Sequence, residues 1–119
     1  RTKEIYNTVL EANKEVIERG KIGQEFKTVD SFARDYIDKS GYGKYFVHSL
    51  GHGIGMEVHE EPRVSAKADG IAQPGMVFTD EPGIYIENDI GIRIEDDIFL
   101  SEEGPIVLTE DLSKELLIL

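Results

Sequence analysis

The chain contains no cysteine. That excludes a disulfide framework, thiolate metal sites and a cysteine nucleophile, and it fits a reducing compartment, so a cytoplasmic location is expected. Positive charge is also scarce. Thirteen Lys and Arg against 24 Asp and Glu give a formal net charge of -11. Nucleic-acid binding draws most of its affinity from cations meeting phosphates, so no nucleic-acid partner is expected. No apolar run is long enough to cross a bilayer and no signal-peptide pattern opens the chain, which argues against a membrane partner. There is no initiator Met. The chain opens on Arg1-Thr2, which leads us to expect a fragment of a longer protein. Histidine is rare too, with 3 in all, and every one lies between Phe46 and Glu60.

The 119 residues suffice for one domain with a real core and are too few for two. Residues 3–19 read as an amphipathic helix, with Ile5, Val9, Ala12 and Val16 at helical spacing, Thr2 as cap and Gly20 as stop. A second helix is expected from Val29 to Lys39, capped by Thr28, with Val29, Phe32, Ala33, Tyr36 and Ile37 on one face and Gly41 at its end. Both apolar stripes are given a structural role with no function attached. After Gly43 the period changes to that of strands. Tyr45–His48 reads as extended, Ile54, Met56 and Val58 alternate as a half-buried strand, and 61–75 reads as loop. Met76–Thr79 and Ile84–Ile86 are short strands separated by Asp80-Glu81-Pro82-Gly83, and Asn88-Asp89 turns the chain. Ile90–Leu100 reads as one continuous strand, followed by a hairpin at 102–105, a strand over 106–108, and an end from Ser113 that is either a helical turn or an edge strand. Two helices followed by an antiparallel sheet make an α+β half-shell.

The histidine stretch, Phe46-Val-His48-Ser-Leu-Gly-His52-Gly-Ile-Gly-Met-Glu-Val-His59-Glu60, carries three alternating glycines at its centre. Histidine suits metal binding and proton transfer near neutral pH, and glycine permits tight turns and close approach. His52 and His59 are seven apart, an odd step that puts them on opposite faces of a straight strand, so the chain must bend at the glycines if both serve one site. Glu81 precedes a proline inside a strand-like run, where Pro82 breaks pairing and re-aims the side chain. Glu95 shares a strand face with Gly91, Arg93 and Asp97. Taken singly, each is an ordinary loop or surface residue. Together, one imidazole and two carboxylates from three segments suit Zn, Mn, Fe or Co at a hydrolytic centre. Other motifs fail: G-x-G-x-x-G meets Met56, H-E-x-x-H meets Pro62 after His59, no P-loop is present, and the Asp89–Asp97 stretch lacks the calcium-loop glycine.

The series from His48 to Pro62, continued in order by Pro74-Gly-Met-Val-Phe-Thr-Asp-Glu81-Pro-Gly-Ile-Tyr-Ile86 and Gly91-Ile-Arg-Ile-Glu95-Asp-Asp97, resembles the signature of the pita-bread metallopeptidases: methionine aminopeptidases, Xaa-Pro aminopeptidases and Xaa-Pro dipeptidases (prolidases). Its long E-P-G-I-Y-I and G-I-R-I-E-D-D forms look like the proline-specific branch. The resemblance implies a partial pita-bread fold, with two helices packed on a curved antiparallel sheet in a single domain, 1–119, that forms the C-terminal part of a catalytic domain. It implies a substrate peptide or dipeptide with proline at the second position, and two divalent metals per site, manganese first and zinc, cobalt or iron as alternatives. Position by position, it implies His52, Glu81 and Glu95 as metal ligands, with Glu95 bridging and Glu81 also accepting a proton from water. His59 would steady the amide and oxyanion, His48 would line the pocket, and Arg93 would stand beside Glu95. The family also uses two aspartates on a hairpin upstream of the first helix. Asp30, Asp35 and Asp38 cannot replace them from within the second helix, so the chain alone is expected to bind at most one metal, weakly, with little activity. Exposed apolar edges lead to an expectation of a homodimer. The readings set against these are a non-catalytic pita-bread binding module and a methionine aminopeptidase.

Overall fold

A computed structural model of the chain describes residues 2–53, 60–68 and 70–109. The first helix, α1, runs Thr2–Arg19 and buries Ile5, Val9, Ala12 and Val16, the predicted stripe. It ends where expected, the Gly20 amide donating to the Val16 carbonyl at 2.8 Å. Thr2 lies inside α1 and not at its cap. The second helix, α2, spans Phe26–Lys39, three residues longer at its start than predicted. Glu25, not Thr28, occupies the cap position, and no side chain caps the helix. A neighbouring segment does that work: the Phe26 amide donates to the Gly70 carbonyl at 2.9 Å, and Glu25 bridges to Ile71. Phe26, wholly buried, meets Phe78 edge-on with ring centroids 5.9 Å apart. The far end is a Schellman closure. Gly41 sits at φ +94°, its amide donating to Asp38 and that of Tyr42 to Ile37, the arrangement in which glycine tolerates a left-handed backbone.

Seven strands follow among the described residues. The sheet holding β1 (Gly51–Gly53), β2 (Glu60–Val64), β3 (Val77–Asp80), β6 (Asp96–Ser101) and β7 (Gly104–Val107) is antiparallel in the order β2-β1-β3-β6-β7. The strands β4 (Gly83–Ile86) and β5 (Ile90–Arg93) pair in a separate two-stranded ribbon. α1 packs against β4, β5 and β7, and α2 against α1 and β2. The expected two helices against an antiparallel sheet are what is found.

Three expectations about strands are corrected. Tyr45–His48 is not a strand, since Gly43–Tyr45 is a single 3-10 turn and the chain stays irregular until Gly51. The stretch from Glu60 to Val64 is a strand and not a loop. Its Pro62 falls where the register of β2 against β1 shifts, between Arg63, paired with His52, and Glu60, paired with Gly53, a bulge in which a proline is tolerated. Finally, 90–100 is two strands in two sheets, interrupted at Ile94-Glu95. The break answers the one at Glu81-Pro82 on the opposing arm. Asp80 faces Asp96 on one side and Gly83 faces Arg93 on the other, so the register is unchanged and Glu81 stands opposite Glu95. A single ladder bond crosses the gap, from the Ile94 amide to the Pro82 carbonyl at 3.2 Å. The turn at Asn88-Asp89, with Asn88 at φ 60°, and the 102–103 hairpin lie where predicted. The strand expected over Ile54–Val58, His59 itself and the segment from Ser113 lie outside the described residues.

Candidate active site

The interrupted hairpin and β1 bring four of the six predicted residues, His52, Glu81, Arg93 and Glu95, into one neighbourhood. Glu81 leaves β3 with its amide bonded to the Leu50 carbonyl at 2.9 Å, which ties the carboxylate-bearing break to the entrance of β1. Two residues further along β1, His52 points its Nε2 at Glu81 Oε2, 3.6 Å away. That exceeds a hydrogen bond and suits two donors flanking a common point. The His52 amide donates to Thr79 Oγ1 at 3.0 Å, and its ring Nδ1 lies 2.9 Å from the Gly53 carbonyl oxygen. A carbonyl only accepts, so Nδ1 carries a proton.

Glu95 completes the group from the opposing arm, with its side chain 43% exposed. What burial there is pushes its carboxyl pKa upward, the facing Glu81 adds to that, and Asp97 does so more weakly, while Arg93 and His52 pull it back. Arg93 Nε lies 3.8 Å from Glu95 Oε1, a loose exposed pair. Glu95 therefore sits in the field of Glu81, Arg93 and His52 together, four of the six predicted site residues in one neighbourhood.

His48 stands apart from that group. Its Nδ1 contacts the Ser49 carbonyl oxygen at 2.6 Å and its Nε2 meets the Tyr85 hydroxyl at 2.9 Å. By the same reasoning Nδ1–H donates and Nε2 accepts from tyrosine. The Tyr85 ring lies along the β4–β5 ribbon, where a side chain on Gly83 would come within 2.7 Å of the hydroxyl and one on Gly91 within 3.2 Å of the ring. Sequence reasoning missed Tyr85 and Thr79. The glycine two residues before Tyr85 was the available signal for a ring folded back over the backbone.

One imidazole and two carboxylates are donors that divalent metals accept. Among the described residues, however, no group of three His, Asp or Glu side chains is gathered closely enough to hold an ion. His52 and Glu81 are the close pair, and Glu95 faces them across the ladder. No helix among the described residues is long and apolar enough to cross a membrane.

Similarity to known proteins agrees with this arrangement. The chain is 54% identical over 79 residues to the Xaa-Pro dipeptidase of Pyrococcus horikoshii, covering 66% of this chain and 22% of that protein. The solved Xaa-Pro dipeptidase from Bacillus anthracis superposes with a TM-score of 0.94 at 50% identity, covering 99% of this chain and 33% of that one. The X-Pro aminopeptidase from Thermotoga maritima gives 0.87 at 49% identity over 91% of this chain and 31% of its own. The chain thus spans a third or less of each relative, and the partial pita-bread fold expected from its motifs is the fold found. The metallopeptidase family M24 profile matches residues 1–102, and the chain belongs to that family.

Proposed function

We propose that the whole protein hydrolyses Xaa-Pro peptide bonds, as a dipeptidase or an aminopeptidase. The reading rests on one observation above others. His52 lies 3.6 Å from Glu81, and Glu95 faces Glu81 across the paired breaks of one hairpin, in a chain half-identical to proteins named Xaa-Pro dipeptidases. Together with ligands from the rest of the whole protein, His52, Glu81 and Glu95 would help hold a pair of divalent metals, manganese first among them. Metal bound there would supply an acidified attacking water and a polarised scissile carbonyl. Glu81, with its side chain only 15% exposed, accepts the proton of that water. His52, with Nδ1–H held by the Gly53 carbonyl, offers Nε2 as the metal donor. Arg93 offsets the accumulated carboxylate charge from beside Glu95. His48, gripped by Tyr85, forms a fixed wall of the substrate pocket, and His59 steadies the scissile amide and the oxyanion. The substrate is a peptide or dipeptide with proline in second place. The proposal extends to a cytoplasmic homodimer.

The test compares this chain with the whole protein. Metal content and Xaa-Pro hydrolysis are measured on both, with a methionyl-alanyl peptide as counter-substrate. The expected outcome is at most one weakly held metal and negligible turnover for residues 1–119, and proline-selective turnover for the whole protein. Full dimetal occupancy with robust turnover by the short chain would overturn the division of ligands. Preference for the counter-substrate would overturn the assignment of substrate.

A further inference from the structure

We infer that Arg34, held by Asp30, is a positioning residue for the histidine site, so that α2 does more than cover the sheet. Asp30 is wholly buried. It grips Arg34 in a fork, Nε to Oδ2 at 2.7 Å and Nη2 to Oδ1 at 3.1 Å. The guanidinium then reaches into the irregular segment before β1, donating from Nη1 to the Phe46 carbonyl at 3.2 Å and from Nη2 to the His48 carbonyl at 2.9 Å. It also lies 4.2 Å over the Phe46 ring, whose own ring meets that of His48 edge-on at 5.2 Å. Asp30 Oδ1 accepts the Leu50 amide at 3.1 Å, and the Leu50 carbonyl accepts the Glu81 amide at 2.9 Å. One ion pair on one helix thus holds alternate residues Phe46, His48 and Leu50, and through Leu50 it holds the backbone of Glu81.

The segment needs such a device. Between the 3-10 turn and β1 it has no ladder partner among the described residues, so the carbonyls of Phe46 and His48 take their bonds from Arg34 instead. An ion pair with its carboxylate buried and its guanidinium half-buried is a poor source of net stability, since well-packed apolar replacements are often as good, but it can select one arrangement among several. Arginine suits the task because its planar fork reaches the carboxylate and two carbonyls at once, which a lysine ammonium cannot do. The inference depends on the proposed function only in taking His48, His52 and Glu81 as the site.

The experiment uses Arg34→Lys, Arg34→Ala and the paired change Asp30→Asn with Arg34→Met, which removes both charges and keeps an acceptor for Leu50. Lys27→Ala serves as the control. Long-range proton–nitrogen correlation of labelled histidines reads the tautomer and the Tyr85 hydrogen bond of His48 directly, without metal or substrate, and unfolding curves report stability separately. In variants that fold, the His48 pattern is expected to move from a fixed Nδ1–H form toward exchanging tautomers, with guanidinium ion partly restoring it in Arg34→Ala. In the whole protein kcat is expected to fall about 10²-fold, the scale of a 1 Å misplacement, with KM little changed. Folded variants with an unaltered His48 pattern would overturn the inference. So would failure of every variant to fold, which would make the pair a folding element. If the whole protein proves inactive on Xaa-Pro substrates, the proposed function falls while the ring pattern still decides the role of Arg34.

Discussion

Gly51→Ala is expected to be among the most damaging single methyl additions to the described residues. Gly51 opens β1 and is buried. A methyl there would overlap the carbonyl oxygen of Thr79 and come within 2.6 Å of both its carbonyl carbon and its Oγ1. The first two are backbone atoms of β3, and the third accepts the His52 amide, so nothing can swing aside. β1 must move off β3. Overpacking of this kind costs about 1–3 kcal/mol, and losing the His52 amide bond adds about 0.5–1.5 kcal/mol. Removing glycine's freedom from the unfolded chain returns about 0.4–1 kcal/mol. The net loss is about 0.5–4 kcal/mol, which at about 4 °C per kcal/mol lowers Tm by roughly 2–16 °C. Because His52 and Glu81 flank that contact, the same change should weaken metal binding more than stability alone predicts. Thermal unfolding followed by circular dichroism, with metal titration at a temperature where both proteins are folded, separates the two effects. A Tm within about 2 °C of wild type would refute the close approach of β1 to β3.

Other consequences follow from the same contacts. Phe26→Ala should cost about 3–5 kcal/mol in urea unfolding, since it empties a wholly buried ring site against Phe78. Asn13→Ala removes the 2.9 Å donor to the buried Asp80 carboxylate and should cost about 1.5–3 kcal/mol in the same assay. Gly41→Ala forces a side chain into φ +94° and should cost about 1–2 kcal/mol. The pKa of Glu95 is raised in the folded chain, so the folded state holds its proton more tightly than the unfolded one, and stability falls as pH rises through the raised value. Glu95→Gln should therefore stabilise the metal-free chain at neutral pH relative to wild type, with the gain vanishing below the ordinary carboxylate range. Denaturation midpoints across pH 3 to 7 check the sign, and an advantage that grows toward acid would contradict it.

Much of the architecture was legible locally. The stripe Ile5–Val9–Ala12–Val16, the stop at Gly41 and the turn at Asn88-Asp89 depend on neighbours in sequence, and each stands where periodicity and turn chemistry put it. The break at Glu81-Pro82 was legible because proline announces it. Its counterpart at Ile94-Glu95 was not, because buried and exposed residues keep alternating straight through from Ile90 to Leu100. Only the partner strand reveals that the chain changes sheets. The start of α2 at Phe26 and the strand around Pro62 were missed for a related reason, since Gly70 caps the one and a bulge against β1 excuses the other. Of the site, residue types and strand faces were readable, and so was the pairing of His52 with Glu81 once the family was recognised. The hold of α2 on His48 and Leu50 was not readable, because an i, i+4 Asp30–Arg34 pair in sequence looks like any solvated helix pair.

The unchanged register across the two breaks constrains how this hairpin can vary in length. Deleting one residue between Asp80 and Gly83 would shift one arm by a step and turn its side chains to the opposite face, separating Glu81 from Glu95. Deleting a second residue from the facing arm, between Arg93 and Asp96, would restore the pairing on both sides. Insertions and deletions in the arms of this hairpin should therefore be tolerated only as opposed pairs, whereas the turn at 87–89, which lies beyond the last paired residues, is free to change length alone.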